Sequence, residues 1–183
     1  MKRVLVLSMV VASLAACKRD DDMPDTPPTA DAVIDLSSQY YTNASGQPAG
    51  SSGSPEDFRQ ETWEAWVKSL FAPLDTAALP LGMAQSGNIE RVSLFPNPGG
   101  ATRAMYVLGV DTMNVKLVLV DKTRAARWTT SLQIQGSSNS AFFTLQVPAT
   151  ALGTDTLFRL YYAFSLAGSP YFHTSHADIT VRP

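Results

Sequence analysis

Two histidines, His173 and His176, are the only imidazoles in the chain, three residues apart in Tyr171-Phe172-His173-Thr174-Ser175-His176. On a helix that spacing would put both on one face, where they could share a metal. This segment reads as a strand, in which positions three apart point to opposite faces, so no metal site is predicted. His176 and Asp178 do share a strand face and could meet as an acid–base pair. No nucleophile motif accompanies them, and a surface polar pair is expected rather than a catalytic dyad. Glu90, Asp111, Asp121, Asp155 and Asp178 fall mostly at predicted strand ends or turns. Glycoside hydrolysis would need two of them facing each other across about 5–10 Å, whereas turn chemistry explains them singly. Gly99-Gly100 lacks the lysine and the strand–helix context of a phosphate loop. No catalytic or cofactor-binding residues are predicted, and the chain is read as non-enzymatic.

The remaining reactive group is the single cysteine, Cys17. Lys2 and Arg3 precede an apolar run from Val4 to Leu14, and small residues Ala15 and Ala16 lead into Cys17. Positive start, short apolar core and small-residue end are the layout of a secretory signal over residues 1–16, and the run is too short to span a bilayer. With one cysteine, no disulfide can form within the chain. Removing Lys2 and Arg3 takes the formal charge from −2 to −4. A mildly acidic chain without basic clusters excludes nucleic acid as the expected partner, and equally a purely electrostatic hold on an anionic membrane.

Leu14-Ala15-Ala16-Cys17 resembles the lipobox of bacterial lipoproteins. That resemblance implies a diacylglycerol on the Cys17 sulfur and a further acyl chain on its new amino group. One chain binds a membrane marginally, while several make a durable anchor. Lys18-Arg19-Asp20-Asp21-Asp22 follows, and Asp20, Asp21 and Asp22 resemble the acidic signal after the cysteine in surface-exposed lipoproteins of the Bacteroidetes. Arg19 departs from the all-acidic form, and a solvated spacer is the plain reading of the run. The implied location is the outer membrane, with the cell surface as the sharper version. The overall layout is similar to small lipoproteins of that group.

Behind this stretch, Asp, Pro, Thr, Ser and Gly dominate residues 17–53, a composition expected to stay disordered as a tether. Fully extended, it would reach on the order of 100 Å at about 3.3 Å per residue. An apolar island, Ala32-Val33-Ile34-Asp35-Leu36 with Tyr40-Tyr41, could dock on the domain. Residues 54–72 are predicted as one amphipathic helix. Ser54 suits the N-cap, Pro55 the first turn and Asp57 a capping-box variant, and Pro73 ends it. Trp63, Trp66, Val67, Leu70 and Phe71 recur on one face, which is expected to pack on the following domain. A loop follows over 73–88.

From residue 89 to 183 the period changes to two. Seven strands are predicted, at about 89–95, 102–110, 114–121, 126–135, 141–147, 156–166 and 171–181. The expectation is a mostly β fold, a seven-stranded immunoglobulin-like antiparallel sandwich preceded by the one helix. Phe95-Pro96-Asn97-Pro98, followed by Val115-Lys116-Leu117-Val118-Leu119-Val120-Asp121, resembles the opening of the sorting domains of type IX secretion cargo. The ending, Tyr171 to Pro183, lacks the Gly-x-Tyr and Lys-rich close of that family, so the run is read as a strand-ending turn. Asp75-Thr76-Ala77, Asp111-Thr112-Met113 and Asp155-Thr156-Leu157 resemble the O-glycosylation acceptors of Bacteroidetes exported proteins, which would place sugars on Thr76, Thr112 and Thr156. Turn chemistry also selects Asp-Thr.

Function then falls between three classes. A lipid-anchored, non-catalytic envelope protein, whose sandwich serves structure or protein contact, leads. A surface glycan-binding module would need two or three of Tyr106, Trp128, Tyr161 and Tyr171 coplanar on one solvent face. A hydrolase would need Asp178, His176 or similar groups converging in a cleft.

Overall fold

The computed structural model describes residues 32–74, 89–110, 112–153, 156–165 and 171–182. The signal segment 1–16, Cys17, Asp20, Asp21, Asp22 and Thr76 lie outside them. A hairpin comes first, β1 (Gln39–Thr42) and β2 (Pro48–Ser52), then helix α1 (Ala65–Phe71) with a 3-10 turn at Ala72–Leu74. The body follows as β3 (Arg91–Phe95), β4 (Thr102–Leu108), β5 (Thr112–Val120), β6 (Ala126–Gln135), β7 (Ser140–Gln146), a short helix α2 (Ala149–Leu152), β8 (Leu157–Ser165) and β9 (Tyr171–Thr180). These seven body strands coincide with the seven predicted to within a few residues.

The ladders between body strands are antiparallel, and they form a three-stranded sheet β3-β4-β7 and a four-stranded sheet β6-β5-β8-β9. One apolar core draws on both. Leu94, Met105 and Leu145 come from the first sheet and Leu117, Phe158, Tyr162 and Ile179 from the second. With strand-pair alternation of period two, those residues occupy one face of each sheet.

The second sheet is buried on its other face as well. Val118, Val120, Tyr161 and Ala163 project away from the main core and pack against Trp63, Val67 and Phe71, together with Ile34 and Leu36. That is why β5 and β8 read as nearly continuous apolar runs instead of alternating: a strand covered on both sides has no solvent face to mark. Strand β6, with one face open, keeps the alternation.

Two boundaries differ from the sequence reading. Residues 32–53 are not part of a disordered tether: Ile34 and Leu36 are buried in the second core and 39–52 form a hairpin. The helix covers 65–71 rather than 54–72, with Glu64 at its N-cap and no side-chain cap bond. Ser54 caps nothing because the backbone after it is used elsewhere. Phe58 N–H donates to the His176 carbonyl (2.8 Å) and Glu61 N–H to the Thr174 carbonyl (2.8 Å), so this stretch runs along the free edge of β9. Asp57 does not close a capping box. Its two oxygens accept the N–H groups of Asp178 (2.7 Å) and Tyr40 (2.8 Å). Satisfying an exposed sheet edge outweighs the local preference for helix, which is worth only tenths of a kcal/mol per residue.

Candidate functional site

The outer face of β8 and β9 carries the densest set of ionisable groups among the described residues. Cross-strand register sets Arg159 opposite Asp178 and Tyr161 opposite His176. Arg159 grips Asp178 with two parallel bonds, Nε to Oδ1 at 2.6 Å and Nη2 to Oδ2 at 2.7 Å, and the same Nη2 reaches the Asp35 carbonyl at 3.0 Å. His176 Nδ1 lies 2.9 Å from Glu61 Oε1, which also accepts the Trp63 indole N–H at 3.0 Å. Trp63 and Trp66 both stand edge-on to Tyr161, at 5.9 and 5.8 Å between centroids. Arg159, Tyr161 and His176 thus each meet a group from residues 32–66.

Between cover and sheet lies a cavity of about 430 Å³, lined by Glu61, Trp66, Arg124, Arg159, Tyr161 and His176 among others. Arg124, from the β5–β6 turn, holds its guanidinium 4.4 Å above the Trp66 ring, a cation–π contact that closes one wall. Burial pushes the Asp57 carboxyl above its ordinary value, against the backbone bonds it accepts, and the nearby Asp178 charge adds to the rise. Arg159 is driven the other way. Burial alone would lower it, and the bonded Asp178 carboxylate raises it well above the ordinary arginine range.

Chemically this cluster is a closed network. His176 and Asp178 share a strand face as expected, but they do not form an exposed pair: they are 7 % and 2 % exposed, and each turns to a different partner. Asp57, His176 and Asp178 place one ligand atom each within 4.8 Å of one another, the spacing of a loose metal triad. Both Asp178 oxygens are already bound by a guanidinium and both Asp57 oxygens by backbone N–H groups, so the positive charge such a triad would take from a metal is supplied by Arg159.

His173 points the opposite way, into the main core, stacked on Phe164 (5.6 Å) and Tyr162 (6.0 Å). Burial holds its pKa down to about 4, and its Nε2 has no hydrogen-bond partner. A histidine depressed in the fold takes up its proton more readily when unfolded. Its contribution to stability is therefore complete above pH 6.5 and is lost as pH falls from there towards 4, roughly 3 kcal/mol in all. His173→Phe keeps the stack and removes the proton. Urea melts at pH 7 and 4.5 are expected to show a smaller acid loss in the variant than in the parent chain. An equal loss in both would show that His173 is not the group responsible.

The carboxylates fall out as structure. Asp121 Oδ1 accepts Thr123 N–H, Thr123 Oγ1–H and Ala125 N–H at 2.7–3.0 Å, and Oδ2 pairs with Arg127 Nε at 3.1 Å, which closes the β5–β6 turn. Glu90 is exposed beside β3, and Asp111 and Asp155 lie outside the described residues. Thr112 and Thr156 are exposed, Thr112 opening β5 and Thr156 just before β8. Of the aromatics, Tyr161 is buried beneath the cover, and Tyr106 and Trp128 are half-buried.

Two residues escaped the sequence reading. Asn97, in the Phe95–Pro98 run, is 3 % exposed and ties three segments: its Nδ2 donates to the carbonyls of Tyr40 and Asp178 (2.8 Å each), and its Oδ1 accepts Thr180 N–H (2.9 Å). Arg103 is buried with no carboxylate partner among the described residues, donating to the carbonyls of Gly99, Gly100 and Thr180, and burial lowers its pKa to about 10. The Pro-Asn-Pro run was a usable signal for Asn97, since a turn flanked by prolines fixes its central side chain. Arg103 gave none, because an arginine in an alternating strand reads as solvent-facing. No protein-family model matches the chain and no curated protein matches it in sequence, so the roles of these residues rest on their own geometry.

Proposed function

We propose that this chain is a lipid-anchored protein of the bacterial outer membrane, held by acylated Cys17 and presented outward with the help of Asp20, Asp21 and Asp22, whose β domain works by contact rather than by catalysis. The observation that carries the contact reading is the saturation of the one ionisable cluster. Glu61 with His176 is spent in fastening residues 32–66 onto the sheet, and Arg159 with Asp178 in tying β8 to β9 while Nη2 of the same arginine holds the Asp35 carbonyl. An acid–base catalyst needs a group free to exchange its proton with a substrate.

The domain reads as an immunoglobulin-like sandwich. The division of its strands supports this, with the first, second and fifth body strands in one sheet and the third, fourth, sixth and seventh in the other. Because Ile34 and Leu36 are buried against the sheet, any spacer from Cys17 ends by about residue 32 rather than 53. Cys17 to Ala32 spans at most about 50 Å at roughly 3.3–3.6 Å per residue, half the reach expected of a tether ending at 53. Glycan binding has weaker support: Phe95 and Phe142 are the ring pair on the open face of the three-stranded sheet, and they are tilted by 46° rather than coplanar.

Metabolic labelling with an alkyne fatty acid tests the anchor. The parent chain is expected to label and to enter the detergent phase on Triton X-114 partition, and Cys17→Ala to lose both. Equal labelling of Cys17→Ala would rule the anchor out. Protease shaving of intact cells then separates surface display from a periplasmic location.

A further inference from the structure

Four sheet edges leave the body, and they are treated differently. The edge of β9 is covered by residues 57–61 through backbone bonds, and β3 is five residues long, begins with Arg91 and follows Glu90. Strand β6 is ten residues long, and among the described residues nothing pairs with it on the side away from β5. An open edge is ordinarily blunted by charge, proline, a bulge or brevity. In β6 the one bulge lies at the hairpin end, where Arg127 is the extra residue, and the run from Trp128 to Gln135 is regular and carries neither charge nor proline. From Trp128 to Thr154 the sequence runs 27 residues without a charged side chain. The one charge in β6, Arg127, is already paired with Asp121 at the hairpin end. Trp128, Leu132 and Ile134 face the main core but are only half-buried against it, because β6 overhangs the sheet.

We propose that β6 is the docking edge for a second copy of this chain, pairing antiparallel with its own equivalent across a two-fold axis near Ser131. That register puts Trp128 against Ile134 of the other copy, Thr130 against Leu132, Thr129 against Gln133 and Arg127 against Gln135. No charge meets a like charge, and apolar groups meet apolar or β-branched ones, the cross-strand pairs that stabilise a sheet. The two four-stranded sheets become one continuous sheet, and the isologous contact closes after two copies. The half-buried row is completed across the axis, and the outward N–H and C=O groups of β6, on which no strand pairs among the described residues, find partners. Self-pairing names the partner for the contact role proposed above, while the lipid-labelling result does not depend on it.

Single cysteines test the register in the full-length lipidated protein. Thr129→Cys, Ser131→Cys and Gln133→Cys are all at exposed positions, and Ser51→Cys on β2, at the far end of the molecule, is the control. Paired antiparallel strands bring Cα atoms to about 4.5–5.5 Å, within disulfide range. Under mild oxidation one of the three, with Ser131→Cys expected to lead, should give at least tenfold more reducible dimer than Ser51→Cys. In the Ser131→Cys background, Thr129→Lys with Gln133→Lys sets lysine against lysine and should cut the dimer about tenfold, and Thr129→Glu with Gln133→Lys should restore it. If all three cysteines stay monomeric, as they would were another segment of the same chain lying on β6, the proposal fails. It also fails if Ser51→Cys cross-links equally, or if the double lysine changes nothing.

Discussion

Asp178→Ala is expected to lower the unfolding free energy by about 3–5 kcal/mol, the cost of removing one partner from a buried ion pair. Asp178 is 2 % exposed at the side chain and Arg159 18 %, so the loss leaves a guanidinium with little water to replace the carboxylate. For a chain of this size that is a fall in Tm of roughly 10 °C. Arg159→Ala should cost a similar amount, since it strands the carboxylate and also frees the Asp35 carbonyl. The double variant should cost clearly less than the two singles together, because the second substitution removes the group the first left unpaired. Urea melts of the four proteins give the coupling directly. A loss below about 1 kcal/mol in either single variant, the range of exposed pairs, would mean that water reaches the fork. The pair would then add little to the ladder that joins β8 and β9.

The body of the fold was legible because its strands announce themselves locally. Turn residues such as Gly136-Ser137-Ser138-Asn139 separate runs of clear period, and each strand can be placed without knowing its neighbours. What surrounds the body was not legible, for a different reason in each place. Residues 54–64 carry helix-start signals, yet Asp57 and Glu61 are drawn to the backbone and side chains of β9, which lie more than 110 residues later. Such a contact leaves no trace in a local window. The Ala32–Leu36 island sits in polar, proline-rich sequence, and only the apolar outer face of β5 and β8 gives it somewhere to go. That face was itself visible: Lys116-Leu117-Val118-Leu119-Val120 fails to alternate, which signals a strand covered on both sides. For the site, His176 and Asp178 were correctly placed on one face and His173 on the other. Their partners were not found, because Arg159 and Glu61 become relevant only once β8 is paired with β9 and the cover is laid across them.

Trp63→Ala is the second large effect, and it discriminates between two ways the molecule could hold together. Trp63 is 3 % exposed, stacks on Phe71 at 4.5 Å, stands edge-on to Tyr161 and bonds Glu61 through its indole N–H. Truncating a buried tryptophan costs about 3–5 kcal/mol. That free energy is concentrated in the second core, which shares strands β5 and β8 with the main core and draws its other residues from the cover. If the cover opens as its own unit, amide hydrogen exchange in residues 32–74 should rise at least a hundredfold in Trp63→Ala. Exchange in β4 and β7 should barely change, as expected of a sub-global opening. Phe158→Ala, in the main core, is the counterpart and should speed exchange in both regions together. Uniform loss of protection in Trp63→Ala would instead make cover and body one cooperative unit. The contact between Glu61 and His176 would then be a joint within the core rather than a fastening upon it. The partition matters for the proposed contact role, because an opened cover would expose Val118, Val120, Tyr161 and Ala163, a second apolar surface.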